Sequence, residues 1–223
     1  MDQSIPLSQK LYLLGIHPQK GGMVSGAYTA MDYILLGSLF LELYLNKNIR
    51  FENKRIIVLN TKSETEVHRF LLQKFSKAKS PLKISRWINK LYFSMKYIRR
   101  EIQQGLVDKR LIKMEPKRFL FFKWKKPVIM NKPVVYRLVT EVQNHVFKGT
   151  TDEEEIMLLS LLKPAGLIRR LFPEAQKRKQ AKSRLKQMLV ENQVSRAVAD
   201  AISAAQAVAA SVATTAATSA ATG

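Results

Sequence analysis

Lys96, Arg99 and Arg100 stand at i, i+3 and i+4 in a run whose apolar residues, Met95, Ile98, Ile102 and Leu106, recur at helical spacing. The three cations therefore share one patch of helix surface. Guanidinium forks beside an ammonium are suited to phosphate oxygens. The alternative is a solvent-facing rim next to the Ile98/Ile102 core stripe. A second constellation is "KRFLFFKWKKP", residues 117–127. Phe119, Leu120, Phe121, Phe122 and Trp124 are nearly consecutive there, and Lys117, Arg118, Lys123, Lys125 and Lys126 surround them without an acid. A surface that rewards apolar and cationic side chains together is the interface of an anionic bilayer.

Covalent and metal chemistry find little support. His17, His68 and His145 are far apart and none sits in a ligand-spaced motif, so each is expected at a surface or boundary. The chain has no cysteine, which removes disulfides, thiolate zinc sites and a cysteine nucleophile. There is no G-x-S-x-G, P-loop lysine or G-x-G-x-x-G, and Gly21, Gly22 and Gly26 read as turn chemistry. The acids Asp152–Glu155 suit the start of a helix. No enzyme, metal or cofactor is expected.

The elements that must position the basic and aromatic residues follow from pattern. The 223 residues, 46% of them apolar, suffice for one sizeable domain. "LSQKLYLLGIHP" reads as a helix, and Tyr28 to Leu45 as a long central one, apolar on nearly all sides. "NIRFENKRIIVLN" reads as a hairpin turning at Glu52-Asn53, and Ser63 to Lys77 as a helix. Ser80 is placed to cap the next helix with Pro81 at its first position, burying Ile84, Trp87, Ile88 and Leu91. The basic helix follows. Then come a strand at Leu111–Met114, a turn at Glu115-Pro116 and "RFLFFKW" as the returning strand. That order outlines a winged-helix-like element. In it, Phe119 and Phe121 share one face and Leu120 and Phe122 the other, with one face packed on the domain. Helices are expected over 131–147, 152–163 and the basic segment "PEAQKRKQAKSRLKQMLVEN". The expected fold class is mainly α: a single globular helical domain, residues 1–203, with β-hairpins. An Ala/Thr-rich low-complexity tail, 204–223, is expected as frayed helix or disorder.

Formal charge is +21, and residues 67–140 hold 20 lysines and arginines against three acids, a net of +17. So uneven a field implies a polyanionic partner. The N-terminus has no secretory pattern, and "ILLGSLFLELYL" is too short to span a bilayer, so a cytoplasmic protein is expected.

Read in order, several segments resemble the Golgi phosphoprotein 3 family. "LSQKLYLLGI" is similar to its opening helix and "YILLGSLFLEL" to its central helix. "SRWINKL" with "MKYIRREIQQGLVDKRLI" is similar to its Trp-Ile and basic helices, and "RFLFFKW" falls at its apolar hairpin strand. The resemblance spans about residues 5–200. It implies a helical domain bound to membranes through phosphatidylinositol 4-phosphate. In eukaryotic members it also implies a place on the cytosolic face of the Golgi and recognition of the cytosolic tails of membrane proteins. Two of the family's headgroup residues fall on Lys96 and Arg99. Its pocket Trp falls on Ala27, beside Tyr28, and its central-helix Arg on Leu36. These departures mark a divergent member, with a prokaryotic source as one reading.

A peripheral membrane protein is the leading expectation. Its headgroup site would comprise Tyr28, Lys96, Arg99 and Arg100, and its 115–127 hairpin would dip into the interface. A winged-helix-like nucleic-acid binder is the rival, disfavoured because a wing that follows a phosphate backbone needs polar residues where this one has Phe-Leu-Phe-Phe. The strand could also be an edge for a homo-oligomer, a use of hairpins that the family resemblance implies.

Overall fold

The computed structural model describes residues 5–28, 30–191 and 203–206. The first helix, α1 (Leu7–Gly15), leads through a glycine turn into α2 (Ser25–Tyr28) and α3 (Met31–Leu45). The expected Tyr28–Leu45 helix thus begins at Met31, and Tyr28 belongs to α2. α3 occupies the centre: Ile34, Leu35, Leu36, Leu39, Phe40, Leu41 and Leu43 are all buried, on every side of the helix. Such an element can persist only if other helices surround it. One of its two acids, Glu42, is buried. Glu42 Oε1 accepts the Ser8 N–H at 2.6 Å, and Oε2 lies 2.7 Å from His68 Nε2. His68 is therefore a core residue and not the surface or boundary residue expected; its partner in α3 is what makes burial tolerable.

A small hairpin, β1 (Ile49–Glu52) and β2 (Arg55–Val58), turns at Asn53-Lys54, one residue beyond the expected place. Both turn residues have positive φ, +48° and +59°, the geometry that suits a two-residue hairpin turn. α4 (Glu66–Ser76) begins where Thr65 Oγ1 accepts the His68 N–H.

The next helix, α5 (Ile84–Tyr92), starts later than Ser80-Pro81 would place it. The reason is a competing pairing. The Pro81 carbonyl accepts from Arg55, the Leu82 carbonyl from the Ile56 N–H, and the Ile84 N–H reaches the Lys54 carbonyl. The segment is used as an extended edge against β2 before it coils. α6 (Met95–Asp108) buries Met95, Ile98, Ile102 and Leu106 as expected.

A long antiparallel ribbon follows, β3 (Ile112–Phe119) with β4 (Phe122–Ile129), whose register pairs Phe119 with Phe122 and Lys117 with Trp124. This corrects the expected turn at Glu115-Pro116. Pro116 is accommodated within β3 opposite Lys125, since a two-stranded ribbon has edges that need no proline N–H. The turn lies instead at Leu120-Phe121, with Leu120 at φ +52°. The expectation that one face of "RFLFFKW" packs on the domain is likewise overturned. Phe119, Leu120, Phe121, Phe122 and Trp124 are all exposed, Phe121 to 92%. The tip extends past the domain, so no core exists there to receive either face.

α7 (Lys132–Lys148), α8 (Glu153–Leu162), α9 (Ile168–Leu171) and α10 (Ala175–Glu191) complete the bundle. Asn131 and Asp152 cap α7 and α8 through their side chains. Lys10 Nζ bridges α1 to α8 by donating to Glu154 at 2.9 Å and Glu155 at 2.8 Å. Residues 203–206 are helical, with Ala204 and Ala205 buried. Ala205 sits so close to Gly37 of α3 that a Cβ there would come within 2.9 Å of the Ala205 carbonyl. The remainder of the expected tail, 207–223, lies outside the described residues. The molecule is a mainly α domain carrying two antiparallel hairpins, and α5, α6 and the β3–β4 ribbon follow one another in winged-helix order.

Candidate functional site

Where α6, the start of α3 and the middle of the ribbon meet, they leave an open cleft of about 790 Å³. Its walls include Tyr12, Tyr28, Asp32, Arg99 and Gln103 on one side and Trp124, Lys125 and Lys126 on the other. The ribbon is held in place by the glycine turn. The Gly22 N–H donates to the Pro127 carbonyl at 2.7 Å, and Gly21 has φ +67°. A Cβ at Gly21 would lie 2.8 Å from both the Pro127 carbonyl oxygen and Val128. Only glycine combines that backbone conformation with so close an approach. "KGGMVSG" therefore acts as the seat of the ribbon.

Arg99 is anchored by Asp32. Its Nε donates to Oδ1 at 2.8 Å and its Nη2 to Oδ2, a bidentate pair that ties α6 to α3. Burial works against the arginine's charge, but the hydrogen bonds and charge of Asp32 outweigh it and hold the guanidinium pKa above its ordinary value. Beneath it, Gln103 Nε2 donates to the Tyr12 hydroxyl at 2.5 Å. Burial raises the Tyr12 pKa, only partly offset by Gln103.

The expected headgroup residues divide. Tyr28 and Arg99 line the cleft. Lys96 and Arg100 are exposed on α6 outside its lining, and Arg100 stacks 5.3 Å from the Tyr97 ring centre while pairing with Glu101. On the ribbon, Lys113 and Lys117 both bind Glu115, lowering the pKa of that carboxyl. Arg118 Nε donates to the Leu120 carbonyl at 3.2 Å, buttressing the turn. Among the described residues, Lys96, Lys123, Lys125 and Lys126 have no carboxylate partner, so their charge is open to an external anion.

Asp32, Tyr12 and Gln103 were not among the expected headgroup residues. Asp32 carried one readable signal, as an acid one helical turn after Tyr28 at the head of an apolar helix. Tyr12 and Gln103 carried none, since they are 91 positions apart in sequence. Among the described residues no group of three or more histidines and acids could hold a metal ion, and no helix is long and apolar enough to cross a membrane.

The sequence profile of the family described as Golgi phosphoprotein 3 (GPP34) matches residues 7–205. The chain belongs to that family. No curated protein is similar enough to match it. In this Golgi phosphoprotein 3 family member, the positions where the resemblance places the pocket Trp and central-helix Arg, Ala27 and Leu36, are buried in the core. They face the helix bundle and supply nothing to the cleft. The match ends at residue 205, at the buried alanine pair that closes over Gly37.

Proposed function

We propose that the chain is a peripheral membrane protein that docks on anionic lipid through the β3–β4 ribbon and the adjoining cleft. The observation that carries this reading is the ribbon tip. Phe119, Leu120, Phe121 and Phe122 are all exposed on a projection ringed by lysines. An apolar patch held out in water has no stabilising role in the fold, and such patches mark binding surfaces.

The magnitudes agree with docking. Each cation near an anionic leaflet contributes ~1 kcal/mol, so five around the tip contribute about 5 kcal/mol. Micromolar binding requires about 8 kcal/mol. Two inserted rings, at ~1.5–3 kcal/mol each as an upper bound, cover the difference. In the cleft, a lipid phosphate would be met by Arg99, Lys125 and Lys126, with Asp32 holding the guanidinium in place. With Ala27 and Leu36 in the core, recognition rests on phosphate charge more than on the inositol ring. Binding should therefore extend to phosphatidylserine as well as phosphatidylinositol 4-phosphate. A role as adaptor for the tails of membrane proteins is compatible with this placement.

The test is co-sedimentation with vesicles of phosphatidylcholine alone, with added phosphatidylserine, or with added phosphatidylinositol 4-phosphate, in the presence of a short DNA duplex or oligo-dT as competitor. Binding to both anionic vesicles, little affected by competitor, is expected. Capture by the duplex at moderate salt without binding to any vesicle would overturn the proposal.

A further inference from the structure

The corner between α5 and α6 carries a second aromatic projection. α5 ends at Tyr92 and α6 begins at Met95, leaving Phe93 and Ser94 as the connection. Leu91 and Met95 on either side are buried, which fixes both helices to the core and turns Tyr92 and Phe93 outward. Phe93 is 90% exposed and Tyr92 56%, and their rings meet each other edge to face at 5.6 Å. A two-residue helix connection ordinarily takes polar or small residues. Phe93, placed there in water against the exposed Tyr92 ring, is not part of the core.

The surroundings are cationic. Residues 67–100 contain ten lysines and arginines and no acid. Lys90 and Lys96 flank the corner directly, Lys90 lying 5.8 Å from the Trp87 ring centre, and Lys83 and Arg86 are exposed on the same helix.

The corner and the ribbon are both tied to α6, whose Arg99 and Gln103 line the cleft. The ribbon leaves the C-terminal end of α6, yet its Trp124–Pro127 stretch shares a cleft with Arg99 and Gln103, so it folds back along α6 toward that helix's N-terminus. Four residues of helix axis separate Met95, at the start of α6, from Arg99, about 6 Å at 1.5 Å per residue. Phe121 at the tip is three residues from Trp124, roughly 10 Å at ~3.3 Å per residue. Both aromatic projections therefore adjoin the cleft, the corner just ahead of α6 and the tip beyond Trp124 on the ribbon.

We infer that Tyr92 and Phe93 form a second insertion point, which with the ribbon tip seats the protein on an anionic bilayer at two places and sets the cleft between them against the headgroups. This rests on the membrane-docking reading above. Two separated anchors fix orientation, which a single insertion point cannot do.

The chain's lack of cysteine permits a direct test on the full protein. Single variants F93C and F121C, each labelled with an environment-sensitive nitrobenzoxadiazole probe, are mixed with vesicles of phosphatidylcholine alone or of equal parts phosphatidylcholine and phosphatidylserine. The expected result is a several-fold rise and blue shift in emission at both positions, with the anionic vesicles only. A response at 121 with none at 93 overturns the second anchor and leaves the ribbon intact. Silence at both overturns the docking reading itself. A response at 93 alone sustains the corner and removes the ribbon. Independently, Phe93→Ser should weaken partitioning by about tenfold with Tm unchanged. Unaltered partitioning would count against the inference, and a falling Tm would show that the ring packs on the fold.

Discussion

Arg99 sits at the join of two roles. Its bidentate pair with Asp32 connects α6 to α3, and the same guanidinium lines the cleft beneath Lys125 and Lys126. An ion pair this open to solvent contributes no more than ~1 kcal/mol to stability. Charge reversal there should therefore change binding more than folding. Arg99→Glu is expected to weaken binding to anionic vesicles by tenfold or more, whereas Arg137→Glu on α7 should cost about fivefold or less. Equal losses in a titration by co-sedimentation would mean diffuse electrostatics with no role for the cleft. At this scale the cations were legible because lysine and arginine declare their chemistry in any context. Their partners were not. Asp32 lies 67 positions from Arg99, and pairing over that distance is decided by how helices cross.

The ribbon is the element on which the function turns. Its register places Leu120-Phe121 at the turn and opposes Phe119 to Phe122, so the apolar residues cluster at the tip instead of splitting between two faces. Phe121→Ala combined with Phe122→Ala should reduce vesicle binding by about 2–4 kcal/mol, read by the same titration, while Tm stays nearly constant because neither ring is packed. A large drop in Tm would contradict the exposure of the rings. The seat of the ribbon behaves oppositely. Gly21→Ala introduces both a clash with Pro127 and an unfavourable backbone at φ +67°, and should destabilise by about 1–3 kcal/mol in urea unfolding, with the loss centred on ribbon amides in hydrogen exchange. The turn was misplaced in the sequence reading because Pro116 is a strong local breaker. In a two-stranded ribbon its missing N–H costs little, and cross-strand pairing along eight residues prevailed. Ser80-Pro81 misled in the same way, since β2 competes for that backbone.

Over the whole molecule, charge and burial set the conditions for stability. Lys10, whose desolvation is outweighed by Glu155 and Glu154, and Tyr12, raised by burial, both hold protons more tightly folded than unfolded. Their contribution is fully present below the ordinary values of 10.5 and 10.0 and is lost as pH rises through the higher folded-state values. Tm is therefore expected to fall above about pH 10, in part offset because lysine deprotonation eases the self-repulsion of a chain of net +21, so the measurement is best made against Lys10→Met, which should flatten the decline. The sequence alone determined the helical class, the central apolar helix, the basic field and the family resemblance, because periodicity, composition and ordered motifs are properties of the chain. Tertiary structure alone decided that Ala27 and His68 are interior, that the Phe-Leu-Phe-Phe run is a bare tip, and that Tyr92 and Phe93 face solvent. Apolar residues look alike in sequence, and whether one is core or contact surface depends on whether another element lies across from it.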